Sequence, residues 1–234
     1  MSTTGHEVLA AVLGVRGLGP ERSLQVLLWQ RGMAPQAGRW SLPGGRLGPT
    51  EDVEASIRRQ LAEKVDVRRL SHVEQLAVFS APDRVPGPRT VATAFLGLAP
   101  CDVDPTVPED TRWYPVDQLP DTAFDHEAIV LRARNRLRAK LSYTNLGFAL
   151  APREFSISTL CGIYSVALGY RVSPTNLQRV LTRRGLLEPT GHTSPSGPSG
   201  GRPAALFRFT GHGIQVTDPF AVLRPPPTGA ARRR

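Results

Sequence analysis

Cysteine is nearly absent from this 234-residue chain, whose two, Cys101 and Cys161, sit far apart. That excludes both the paired spacing of a zinc site and a disulfide framework, and it suits a reducing compartment. No apolar run is long enough to span a bilayer, and the N-terminus lacks the basic-then-apolar order of a signal peptide. The expectation is a soluble, cytoplasmic protein that meets no membrane. Lysine is scarce as well. Only Lys64 and Lys140 stand among 29 basic residues, and the abundance of Ala, Gly, Pro and Arg matches a GC-rich genome, so arginine number alone argues little. The uneven supply of acidic residues says more. Residues 1–125 hold 13 Lys and Arg against 16 Asp and Glu, net −3, whereas residues 126–234 hold 16 against 4, net +12. This asymmetry predicts two units, the second of which meets a polyanion, most commonly nucleic acid. A solubilising basic surface is the plainer alternative.

The most patterned stretch runs from Gly38 to Val67. Five residues after Gly45 comes Glu51, and seven more lead to Arg59, followed by Gln60, Leu61, Ala62, Glu63, Lys64, Val65, Asp66 and Val67. The glycine pair Gly44-Gly45 permits a tight turn and a close backbone approach to a diphosphate. Val53, Ile57, Leu61 and Val65 recur every four residues, which predicts a helix with one apolar stripe packed on a sheet. This stretch resembles the Nudix pattern G-x5-E-x7-R-E-U-x-E-E-x-G-U, where U is aliphatic, and Arg39-Trp40-Ser41-Leu42-Pro43-Gly44-Gly45 resembles the lead-in to its loop. The resemblance implies an α/β sandwich, with Glu51 and Arg59 bracing the loop. In that family, carboxylates on one side of the helix hold magnesium against the substrate diphosphate and help activate water. Here two of those positions, one turn apart on one face, are Gln60 and Lys64, and Glu63 alone remains. An ammonium in place of a carboxylate repels a divalent cation but still attracts a diphosphate. Asp66 also departs from the pattern, standing where a glycine is expected to end the helix. The expectation is a site that binds without cutting, with no catalytic residue, no metal and no required cofactor. Its nucleotide-binding residues are predicted to be Arg39, Gly44, Gly45, Arg46, Glu51, Arg59, Glu63 and Lys64.

Strands are predicted at Val8–Val15, Leu24–Gln30, His72–Phe79 and Thr90–Leu98, with a further short one at Trp113-Tyr114-Pro115. Strands before and after one packed helix give a mixed sheet with helices on its faces. Asp125 is placed to cap a helix from His126 to Leu141, whose apolar stripe is Val130, Ala133, Leu137 and Leu141. Arg132, Arg134, Arg136, Arg138 and Lys140 flank that stripe, serving either as phosphate contacts or as the solvated face of a linker. His126, beside the cap and without a histidine or cysteine partner in the pattern, is assigned a structural role.

Residues 143–210 have the order of a winged helix-turn-helix. A short apolar helix at Leu146–Leu150 comes first. A second starts at Ser156 as N-cap, with Phe155 and Leu160 as a hydrophobic staple, and ends near Gly169. A third has Ser173 as cap and Pro174 at its first position, and stops at Gly185. At 100° per residue, Thr175, Gln178, Arg179, Thr182 and Arg183 fall opposite the core residues Leu177 and Leu181, with Asn176 near the rim. Arg suits a guanine edge, Gln an adenine edge, and Thr a thymine methyl or a phosphate. Leu186–Thr190 and Ala204–Thr210 are the predicted wing strands. Arg202, in Gly201-Arg202-Pro203 before the return strand, suits insertion into a narrow minor groove. The tail from Pro225 to Arg234 is predicted to be disordered and to add non-specific phosphate affinity.

The predicted organisation is a Nudix-like sensing domain (1–125), a basic linker helix (126–142), a winged helix-turn-helix domain (143–224) and a basic tail (225–234). Together with Phe124-Asp125-His126, Gly185-Leu186-Leu187-Glu188-Pro189-Thr190-Gly191 and Gly201-Arg202-Pro203-Ala204-Ala205-Leu206-Phe207-Arg208-Phe209, this order resembles the Nudix-related transcriptional regulators over about residues 7–210. The resemblance implies a homodimeric repressor of NAD-cofactor genes. Such a protein would read an inverted repeat in double-stranded DNA and be released by ADP-ribose or a related nucleotide. Two alternatives are an active Nudix pyrophosphatase with an accessory nucleic-acid domain, against which Gln60 and Lys64 argue, and an RNA-binding Nudix protein.

Overall fold

The computed structural model describes residues 4–65, 67, 70–103, 107–194 and 203–218. Asp66, Arg202 and the tail from Pro225 lie outside these residues. The first unit is built on strand β1 (Gly5–Arg16), which carries an unbroken apolar run. Its alternate residues serve two cores. Val8, Ala10 and Val12 face one layer, and Leu9, Ala11, Leu13 and Val15 face the other, as expected for a strand covered on both sides.

Around it assemble β2 (Ser23–Gln30), β3 (Trp40–Ser41), β4 (Gly44–Arg46), β5 (His72–Phe79), β6 (Thr90–Ala99) and β7 (Thr111–Pro115). The sheet order is β3-β2-β1-β6-β5, with β4 also paired to β1 and β7 to β2. β1 and β6 run parallel and the other pairs antiparallel, so the sheet is mixed as predicted. Helix α1 (Val53–Val65) closes one face by burying Ile57, Leu61 and Val65 against Val8, Val12, Leu27 and Phe95. Each such side chain contributes about 1.5–3 kcal/mol of burial free energy. Asp52 closes the first turn of α1 by accepting from the Ala55 N–H at 2.8 Å.

Helix α2 (His126–Tyr143) covers the other face, with Ile129, Val130, Ala133, Leu137 and Leu141 buried. The capping expectation fails at Asp125. Its side chain makes no cap bond and instead accepts from Arg84 through both oxygens, at 2.9 and 2.7 Å. A charged, forked donor outcompetes a neutral backbone N–H for the same carboxylate. The basic side chains of α2 are engaged within the chain. Arg134 pairs with Asp117 and Lys140 with Glu74, Arg136 donates to the Leu76 carbonyl, Arg138 donates to the Ala167 carbonyl, and Arg132 lies over the Phe79 ring.

The second unit follows the predicted order with one addition. The short apolar helix expected at Leu146–Leu150 is a 3-10 helix over Leu146–Ala149. A short strand, β8 (Phe155–Ser156), adds a third member to the wing sheet. Helix α3 (Ile157–Leu168) has the Ser156 hydroxyl accepting from the Thr159 N–H at 3.1 Å, and Gly169 ends it in the left-handed region at φ 81°. Helix α4 (Pro174–Arg183) is capped by Ser173 and followed by Gly185 at φ 67°. Strands β9 (Leu187–Thr193) and β10 (Ala205–Phe209) form the wing, and Phe155 and Phe209 pack with ring centroids 5.3 Å apart. One apolar core runs from β1 and β2 through α2 into Leu160, Ile163, Leu177, Leu181 and Phe209, so the two units share it. Among the described residues no helix is long and apolar enough to cross a membrane.

Candidate functional site

The loop before α1 is held by a bidentate ion pair. Arg59 donates to Glu51 from Nε at 3.0 Å and from Nη2 at 2.6 Å, while the Gly48 N–H donates to the same carboxylate at 2.8 Å. The Arg59 bonds, followed by the Gly48 bond, lower the Glu51 carboxyl to about 2. Arg59 also binds Glu63 at 3.0 Å, which occupies the carboxylate that remains at the motif's metal-binding positions. Gly44 is required by the backbone around it, whereas at Gly45 only the end of the flexible Gln60 side chain stands in the way. A Cβ on Gly44 would lie 2.1 Å from the Val8 carbonyl oxygen, and one on Gly45 would lie 2.7 Å from the Gln60 amide.

Gln60 and Lys64 converge on that loop as donors. Lys64 Nζ donates to the Gly44 carbonyl at 2.5 Å and lies 4.9 Å from the centre of the Trp29 ring. The Gln60 amide, oriented to satisfy its neighbours, donates to the same carbonyl at 3.2 Å and accepts from Arg59 at 3.3 Å. A divalent cation needs oxygen acceptors here, and the loop carbonyl that could supply one is already bonded to an ammonium and an amide. These residues do not fit a magnesium ion. Burial first, and then the Arg31 charge, lower the Lys64 pKa.

Beside Lys64 opens a cavity of about 270 Å³. Of the predicted residues, Gly44, Gly45 and Lys64 line it. Arg39, Arg46, Glu51, Arg59 and Glu63 do not. Arg39 instead donates to the Thr122 carbonyl at 3.4 Å, and Glu51 and Arg59 brace the loop from behind. The walls also include Glu7, Trp29, Arg31, Met33, Phe124 and His126, none of which was predicted. β3 assembles this wall by pairing with β2 on one side, while Trp40 bridges to Thr122 and accepts the Ala123 N–H on the other, which carries Phe124 and His126 alongside.

Arg31 stacks over the Phe124 ring at 4.8 Å. Phe124 adopts φ 53°, a left-handed conformation that costs an aromatic residue on the order of 1–3 kcal/mol, and Gln36 Oε1 holds it by accepting its N–H at 2.9 Å. The pocket therefore offers two cations for an anion, aromatic surface for a flat ring, and the Glu7 carboxylate for a hydroxyl or amino group. Behind Glu7 stands Arg84, with its side chain 1% exposed, bonded to Glu7 at 2.6 Å and to Asp125. Burial opposes the Arg84 charge, but these bonds outweigh it and raise the pKa. His126 is buried and accepts from the Leu42 N–H through Nδ1 at 3.0 Å, consistent with a structural role, and burial pushes its pKa down to about 3.

A second candidate surface is the outer face of α4. Thr175, Asn176, Gln178, Arg179, Thr182 and Arg183 are all exposed, while Leu177 and Leu181 are buried beneath them. Arg179 is bonded to Asn176 at 2.8 Å. The face is rich in amide, hydroxyl and guanidinium groups, the chemistry that reads base edges. Arg202 lies outside the described residues.

The chain matches the NUDIX domain over residues 9–133 and the NrtR DNA-binding winged helix domain over residues 147–209. It is 32% identical over 193 residues to the ADPR responsive transcriptional repressor NtrR of Acinetobacter baylyi, covering 80% of this chain and 76% of that one. Its fold superposes on the crystal structure of Shewanella oneidensis NrtR with TM-score 0.74 at 30% identity, covering 87% of this chain and 93% of the other. The same protein complexed with a 27mer DNA matches with TM-score 0.74 at 30% identity, over 87% of this chain and 92% of the other. Sharing both domains in the same order with these relatives, the chain belongs to the NrtR family of Nudix-related transcriptional regulators.

Proposed function

We propose that this protein is a homodimeric DNA-binding repressor whose Nudix domain senses ADP-ribose or a related nucleotide without hydrolysing it. The observation that carries the reading is the pairing of Lys64 with the Gly44 carbonyl, which puts a cation where a hydrolase needs a metal-binding carboxylate, beside a cavity lined by a second cation and aromatic rings. Catalytic residues and a required metal or cofactor are absent from this reading. The relative named as responsive to ADPR supports the choice of nucleotide. In this assignment Lys64, Arg31 and the Gly44-Gly45 loop take the diphosphate, with Glu51 and Arg59 keeping that loop in place.

The relative complexed with a 27mer DNA supports duplex DNA as the partner of the second unit. Thr175, Asn176, Gln178, Arg179, Thr182 and Arg183 read the major groove, and Arg202 the minor groove. Two protomers read an inverted repeat, in genes of NAD-cofactor supply, in the cytoplasm. Residues 1–125 sense, helix 126–142 transmits and residues 143–224 hold the operator, while the basic tail 225–234 adds affinity for phosphate. The test is a pair of assays on the full chain. Duplex DNA carrying the operator should shift in a gel, and incubation with ADP-ribose and magnesium should release no AMP. Turnover of roughly 1 per second or faster, in the range of ordinary enzymes, without DNA binding would replace this reading with that of a pyrophosphatase.

A further inference from the structure

The ring of His126 has one nitrogen accounted for and one that is not. The Leu42 N–H can only donate, so Nδ1, 3.0 Å away, accepts and carries no hydrogen while that bond stands. The residue is 3% exposed, and burial keeps the ring neutral at physiological pH. A neutral imidazole with a bare Nδ1 holds its hydrogen on Nε2. No acceptor among the described residues is bonded to that Nε2–H. The ring forms part of the wall of the 270 Å³ cavity, beside Lys64, Arg31 and the edge of Phe124. A neutral donor without a protein partner, on a ring that borders a cavity lined by cations, is placed for an acceptor oxygen arriving with a ligand.

We propose that His126 is a ligand-binding residue whose Nε2–H donates to an oxygen of the nucleotide held in this cavity. The proposal rests on the nucleotide-sensing reading above and adds a contact to it. An uncharged donor contributes direction without adding a third positive charge beside Lys64 and Arg31. Its position also matters, because His126 is the first residue of α2, and the same helix buries Leu137 and Leu141 in the core shared with α3 and α4. The bound nucleotide thus touches the element that leads to the winged helix.

The test is calorimetric titration of ADP-ribose into the full-length protein and its His126→Asn variant. Asparagine can reproduce the Nδ1 acceptor for Leu42 but does not reach the position of Nε2. A purely structural His126 predicts equal affinities, whereas the proposed contact predicts that the variant binds about tenfold more weakly, the loss of roughly one neutral hydrogen bond. A second readout needs no variant. In protein labelled with nitrogen-15 histidine, the Nε2–H proton of His126 should move downfield when ADP-ribose is added. Equal affinities, or an unmoved Nε2–H signal under saturating ADP-ribose, would overturn the proposal while leaving the nucleotide reading in place. Failure of the unmodified protein to bind ADP-ribose would overturn that reading and this proposal with it.

Discussion

Arg84→Met should be among the most damaging single substitutions in the Nudix unit. The native side chain is 1% exposed and makes three short bonds, one to Glu7 at 2.6 Å and two to Asp125 at 2.9 and 2.7 Å. Methionine fills much of the volume but leaves two carboxylates facing each other without a cation. Breaking a buried ion pair from one side costs about 3–5 kcal/mol. Glu7 and Asp125 retain 22% and 23% exposure, so water relieves part of that penalty and the lower end of the range, about 3 kcal/mol, applies. For a chain of this size that corresponds to a fall in Tm of roughly 6–12 °C. Calorimetric melts at pH 7 measure it. The same substitution in a Glu7→Gln, Asp125→Asn background should cost much less, because no charge is then left unpaired. A fall below about 2 °C in the native background, or an equal fall in both backgrounds, would refute the electrostatic account.

Glu51, lowered to about 2 by Arg59, contributes stability that is fully present above its unfolded value near 4.5 and is lost as pH falls towards 2, so Glu51→Gln should be less stable at pH 7 and converge with the native protein in acid. His126, neutral in the fold and with a pKa near 3, makes folding acid-sensitive between about 6.5 and 3, at up to about 1.4 kcal/mol per pH unit. His126→Asn should flatten the slope of denaturant-measured stability in that window. Restoring carboxylates with Gln60→Glu and Lys64→Glu together should give measurable magnesium binding by calorimetry, which the native protein should not show. Arg179→Ala or Gln178→Ala should cost about 1–3 kcal/mol in operator binding and relax specificity at one base pair, with little change on random duplex. Equal loss on both duplexes would assign these residues to phosphates.

Local features were legible in the sequence because the physics that fixes them is local. Ser156, Ser173, Gly169 and Gly185 mark helix ends through bonds and backbone angles within a few residues, and the stripe of α1 follows from one period. The Glu51–Arg59 pair was legible from the resemblance, since its spacing is part of the motif. The cavity wall was not. Glu7, Trp29, Arg31, Phe124 and His126 meet only after the sheet forms, and Arg84 reaches partners 77 and 41 residues away, so no periodicity reports them. Asp125 had the right side chain and position for a cap, and only the distant Arg84 shows why it does not serve as one. β8, two residues long, is too short for an alternating pattern to register. The scarcity of acid in the second half pointed towards a polyanion, but the basic residues of α2 turned out to be held by neighbours such as Glu74 and Asp117, so charge count overstated that helix.

If the protein works as proposed, the cavity beside Lys64 and the outer face of α4 are two ends of one equilibrium, joined by α2 and the shared core. Titrating ADP-ribose into the full-length protein, with and without saturating operator duplex, measures this directly. Thermodynamic linkage requires that if ADP-ribose weakens operator binding, operator weakens ADP-ribose binding by the same factor, typically about 5- to 150-fold. The account predicts a weaker apparent affinity for ADP-ribose in the presence of operator and no change with an equal concentration of scrambled duplex. Identical affinities in all three titrations would mean a site that binds without a readout, and would contradict the account.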